Sequence, residues 1–221
     1  MAIDNGLLQK DAGQHPYHTA VRVGARILSY VFHPLFVPIY VVIFFLYEAM
    51  LMPERTGGAR LFIIIQYFVS YTFLPLATIL IMRKLGFIES IHLRTRKDRI
   101  LPYVVCEIFY FWAWYVSKNL FYPKEFIVFG LAVFIATSLA LILNAYMKIS
   151  MHAISVGVTI GVLAFCSLRT DMNYGLYLSI GLLIAGLTCT ARLIDSDHTS
   201  KEIYAGLLTG FIAIAAAWMF V

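Results

Sequence analysis

The segment Ala191-Arg192-Leu-Ile-Asp-Ser-Asp-His198-Thr-Ser-Lys-Glu202 holds a cation, an imidazole and a carboxylate at spacings that chemistry can use. His198 and Glu202 stand four residues apart, so a helix would put them on one face. A carboxylate on one imidazole nitrogen fixes the tautomer and leaves the other nitrogen to attack an electrophile. Arg192 offers a bidentate fork for phosphate oxygens. The same residues have a structural reading. Thr199-Ser-Lys-Glu202 is a capping box, and Arg192 marks the end of an apolar run.

A second segment, Asn144-Ala-Tyr-Met-Lys148-Ile-Ser150-Met-His152, brings a cation, a hydroxyl and another imidazole to the start of an apolar run. Alone, Ser150 reads as an N-cap and His152 as an interfacial residue. Beside His198, two imidazoles suit two jobs, one attacking and one giving a proton to the leaving oxygen. A third segment, His92-Leu-Arg94-Thr-Arg96-Lys97-Asp-Arg99-Ile-Leu-Pro102, clusters four cations. Such a cluster serves either as a topology signal or as a cradle for phosphate.

Taken together, a basic stretch ending in Arg and Pro, then Ser-x-His, then Arg-x5-His-x3-acid resembles the type 2 phosphatidic acid phosphatase superfamily, whose members are membrane lipid phosphatases. The resemblance covers roughly residues 92–210, with the last motif its most specific part. It implies that His198 is the nucleophile, that Glu202 orients it and that His152 is the general acid. It also implies that Arg99, Arg192 and Ser150 hold phosphate oxygens, with Lys148, Arg96 and Lys97 as further candidates, and that no metal or cofactor takes part. The chain departs from the family in three places. Met151 stands where a Gly usually precedes the His, Ile149 where a Pro precedes the Ser, and His92 where the first motif has a Lys. Substrates implied are phosphatidic acid, phosphatidylglycerol phosphate or a polyprenyl diphosphate. The alternative is a lipid-phosphate binding or transport protein on the same scaffold.

The elements that must position these residues follow from composition. Of 221 residues, 61% are hydrophobic and only 13% charged, against about 25% charged in soluble domains. Mean hydropathy is +0.82. Lipid has to be the solvent. Seven apolar segments approach or exceed the length that crosses a bilayer, about 17 to 25 residues: 26–47, 60–82, 101–117, 125–146, 152–168, 173–191 and 203–221. They predict an all-α, polytopic transmembrane bundle of six to seven spans, in a single domain over 1–221 with a polar tail at 1–22. Pro34 and Pro38 predict a kink in the first segment. Seven spans bring residues 83–100, 147–151 and 192–202 to one side, which is where the three motifs lie.

The net charge of +5 does not point to nucleic acid, because the basic residues sit between apolar runs and suit lipid headgroups. Cys106, Cys166 and Cys189 have no paired spacing and read as packing residues. Gly157-x3-Gly161 and Gly206-x3-Gly210 allow close helix approach, either inside one bundle or at a homodimer face. Twelve of the seventeen Lys and Arg residues fall on the motif side. Six of those twelve are candidate phosphate ligands, so the remaining six against five do not orient the chain. The resemblance implies an integral protein of a bacterial inner membrane.

Overall fold

The computed structural model describes residues 17–90, 95–169, 173–195 and 198–221. Among these residues the secondary structure is helical: α1 (Thr19–Val31), α2 (Val37–Ile43, continued by a π turn at Phe44–Glu48), α3 (Gly57–Lys84), α4 (Arg96–Asn119), α5 (Lys124–Asn144), α6 (Met151–Ser167), α7 (Gly175–Ile194) and α8 (Ser200–Phe220). Five of them, α3, α4, α5, α7 and α8, are long and apolar enough to cross a membrane, while α2 and α6 are shorter apolar helices. The outer surface agrees with a lipid environment. Leu176, Ile180, Leu183 and Leu187 recur at helical spacing on α7 and are all exposed, a stripe that water would penalise and hydrocarbon accepts. Trp218 carries Lys124 and Arg169 over its ring at 4.4 and 4.7 Å, the interfacial aromatic pairing expected where a bundle meets headgroups.

The first apolar segment differs from its expectation. The helix begins at Thr19, inside the expected polar tail, and stops at Val31. Residue 33 precedes Pro34 and is pushed out of helical geometry, and Pro34 has no N–H to continue the ladder. Pro38 then falls in the first turn of α2, where no N–H is needed. The two halves still run the length of α7. Arg26 reaches Asp195 at its C-terminal end, and Glu48 accepts from Tyr177 at its N-terminal end. The break lies inside the bundle, because the Leu35 carbonyl accepts from Thr72 Oγ1, midway along α3, at 2.6 Å. Tyr40 Oη likewise donates to the Val31 carbonyl at 2.9 Å. Unwound backbone at membrane depth is tolerated when protein groups satisfy it in this way.

Aromatic residues fill the middle of the bundle. Tyr67, Tyr71, Phe45, Phe126 and Phe129 are essentially inaccessible, and the Tyr67 and Ser117 hydroxyls share a hydrogen bond at 2.7 Å. On the motif side the close pairing is α6 against α8, and the two glycine pairs make it. A Cβ on Gly157 would lie 2.7 Å from the Leu207 carbonyl oxygen, and one on Gly206 would lie 2.8 Å from that of Ser150. Gly210 lies against Gly157 and Gly206 against Ser150 within the chain, so backbone meets backbone close to His152 and to the start of α8 that follows His198.

Candidate functional site

Three interhelical connections converge as the span count requires, and hydrogen bonds to backbone carbonyls tie them. α4 starts earlier than the apolar pattern suggests, because Thr95 Oγ1 accepts from the Asp98 N–H and caps it. Arg96, Lys97 and Arg99 of the basic cluster therefore lie at the start of a helix. From there Arg96 Nη1 donates to the carbonyls of Ala145 and Tyr146 at 2.9 and 3.2 Å, and Asn144 Nδ2 donates back to the Arg96 carbonyl. Arg99, 4% exposed, donates from Nη1 to the Ile149 carbonyl at 2.9 Å. These cations satisfy carbonyls at the C-terminus of α5 and just beyond it, and so hold the 145–149 connection in place.

His198 lies against that connection. Its Nδ1 is 3.0 Å from the Lys148 carbonyl. A carbonyl can only accept, so Nδ1 carries the proton and Nε2 of the neutral ring carries the lone pair. Glu202 is one step removed. Its Oε2 accepts from the Thr199 N–H at 2.8 Å, completing a capping box, and stands 3.6 Å from His198 Nδ1. The capping role of Glu202 is the one its hydrogen bonds show, and the Lys148 carbonyl is the partner in direct hydrogen-bond contact with the His198 ring.

His152 occupies the second position of α6. Its Nε2 is 3.0 Å from the Ser29 carbonyl, which places a proton on Nε2 by the same reasoning. Arg192, 7% exposed, donates from Nη1 to Ser29 Oγ at 3.2 Å and approaches Asp195 at 3.6 Å. Its guanidinium bears electrostatically on His33, His152 and His198. These groups open on one cavity of about 840 Å³ whose wall includes Arg99, Lys148, His152, Arg192 and His198. Its lining also includes the apolar side chains of Leu76, Ile79, Leu80 and Val133. Polar head and apolar wall in one cavity match an amphiphile.

Comparison with known proteins leaves the chain without a match. No family model fits it, and no curated protein or solved structure is similar enough to count.

The expected residues therefore stand on geometry. His152, His198, Arg99, Arg192 and Lys148 come together at the cavity. Ser150 is fully buried, and its Oγ accepts from the Ala153 N–H at 3.4 Å as the N-cap of α6. Arg96 grips carbonyls, Lys97 is exposed, and neither joins the described cavity wall. His92 and Arg94 lie outside the described residues, as do Ser196 and Asp197. Among the described residues no three His, Cys, Asp or Glu side chains gather as metal ligands. Sequence reading missed His33 and Ser29. His33 sits edge-on to the His152 ring at 5.3 Å between centroids and lines the cavity. The signal was present, as an ionisable residue beside Pro34 within an apolar run.

Burial, and then the charges of Arg192 and Arg99, hold His198 below its ordinary 6.5, at about 4. A lowered value keeps the ring neutral and nucleophilic through neutral pH, and protonation removes the lone pair only in acid. For turnover through this ring, the acid limb of kcat/KM, which reports the free protein, is expected well below 6.5. Arg192→Gln removes the leading charge and should move that limb upward. A limb at 6.5 in both proteins would contradict the assignment.

Proposed function

We propose that the protein is a membrane phosphohydrolase that cleaves lipid phosphates through a phosphohistidine on His198. The observation carrying this reading is the His198 ring with its Nδ1 proton fixed on the Lys148 carbonyl, in the wall of a cavity shared with His152, Arg99 and Arg192. Nε2 attacks phosphorus, forming an N–P bond while the bond to the lipid oxygen breaks. The electron pair leaves on that oxygen, and His152 supplies the proton. Water then attacks the phosphohistidine, with His152 as base, and inorganic phosphate departs. Transferring phosphorus spreads charge over three equatorial oxygens, so buried guanidiniums aimed at them lower the barrier. The apolar wall keeps the chain in hydrocarbon while the phosphate enters the cationic end. A bacterial inner membrane is the setting we assign.

Purified protein given phosphatidic acid or a polyprenyl diphosphate is expected to release inorganic phosphate undiminished by chelator. Loss of activity in chelator would rule out this metal-free route and favour the membrane transferases that hold magnesium on carboxylates. A second reading, a lipid-phosphate binding or transport protein, draws on one observation. Ser29 oxygens already engage both His152 and Arg192. A binding protein would retain lipid phosphate and release none.

A further inference from the structure

We infer that α1 builds a second anion subsite from Arg22 and Arg26, which selects lipids whose transferred phosphate adjoins another phosphate. The inference rests on the phosphatase reading. Arg22, Arg26, Ser29 and His33 follow one another at steps of four, three and four, a single stripe along a helix and its exit. All four line the cavity that holds His198. Ser29 and His33 face His152 and Arg192, so the stripe points at the reacting end, with the two arginines further out.

Two further observations say what the stripe would bind. The Nε of Arg22 is shielded from solvent and meets no acceptor among the described residues. A shielded N–H of a cation without an acceptor is costly unless a ligand supplies one. The second observation is Asp195. One of its oxygens lies 3.2 Å from Arg26 Nε and the other 3.6 Å from Arg192 Nη1. A single carboxylate therefore reaches a guanidinium of the inner site and one of the outer stripe. Two guanidiniums within reach of one small carboxylate can also share two phosphates joined by a bridging oxygen. Charge agrees. The cavity wall carries Arg22, Arg26, Arg99, Lys148 and Arg192 against Asp195, more cation than one phosphomonoester of about −2 needs.

In this arrangement His198 Nε2 bonds to the terminal phosphorus, and the bond from that phosphorus to the bridging oxygen breaks. The electron pair stays on the departing lipid monophosphate, which Arg22 and Arg26 hold. Such a leaving group bears negative charge with less help from an acid than an alkoxide requires.

The test compares a prenyl diphosphate with the prenyl monophosphate of the same chain, using the full-length protein in detergent. The double variant Arg22→Gln/Arg26→Gln should lower kcat/KM for the diphosphate about 10- to 100-fold more than for the monophosphate, the worth of charge-assisted hydrogen bonds. Arg22→Lys/Arg26→Lys should keep part of the preference and guards against a folding defect. Equal losses on both substrates, or no loss on the diphosphate, overturn the subsite. Binding of a prenyl methylenediphosphonate and of the matched prenyl phosphonate separates this inference from the phosphatase reading. A diphosphonate preference that the glutamine variant abolishes, in a protein releasing no phosphate, keeps the subsite and discards the phosphatase. The absence of any preference discards the subsite whatever the turnover.

Discussion

Replacing His198 by Gln is expected to lower phosphate release by at least about 10⁴-fold, since losing the proposed nucleophile removes the covalent route itself. Gln can still donate toward the Lys148 carbonyl, which His198 Nδ1 now engages at 3.0 Å, so the connection it closes should survive. The bundle should therefore unfold at a temperature close to that of the wild type. A second readout separates loss of chemistry from loss of binding. Wild-type protein quenched during turnover should carry phosphate that is stable in base and released in acid, the behaviour of an N–P bond. The variant should carry none. Retention of full activity by the Gln variant would remove His198 from the mechanism and return its neighbours to a structural role.

Gly210→Val should collapse the site from a distance. A Cβ at residue 210 would lie 2.6 Å from both the Ile154 carbonyl oxygen and the Val158 nitrogen. Those are helix backbone atoms, which cannot rotate aside as a side-chain tip can. α6 and α8 would have to separate, at a cost above about 3 kcal/mol, beyond the usual range for overpacking. Both catalytic candidates sit where these helices begin, so the catalytic geometry should be lost with the packing. Gly186→Ala is the control. Nothing lies within 4 Å of its added Cβ, and in a helix interior Ala is favoured over Gly by about 1 kcal/mol. Thermal unfolding in detergent, read beside phosphate release, distinguishes the two. Equal stability for both variants would show that the glycine contacts do not hold the pair.

Much of the architecture was legible because the constraint acting on it is coarse. Hydrocarbon demands long apolar helices with their backbones internally bonded, and that demand is written into 60–82, 125–146 and 203–221 as uninterrupted apolar runs. The parity of those runs was enough to predict that the three motif segments share a side, and Arg96, Arg99 and His198 do reach across to the 145–149 connection. The first segment was harder to read. Averaged hydropathy merges α1, the break and α2 into one span, while the break depends on Pro34 and on acceptors and donors from residues far along the chain, such as Thr72.

What only the tertiary structure decided is which polar groups near the motifs face the cavity and which are consumed by backbone. Ser150 stood beside Arg192 as an implied phosphate ligand and Arg96 as a further candidate, yet Ser150 caps a helix and Arg96 grips carbonyls. Sequence spacing cannot make that distinction, because each buried carbonyl or N–H must find its own partner and the choice depends on which helix ends meet. The same holds for Glu202, which completes a capping box and stands 3.6 Å from His198, and for the imidazole tautomers, each assigned by a single carbonyl from another segment. His33 and Ser29 became part of the site only when the broken first segment folded back against α6 and α7. The amino-acid sequence determined by itself that this is a membrane-embedded helical bundle with its reactive residue types gathered on one side. The packing of α6 on α8, made possible by four glycines, decided which of those residues meet.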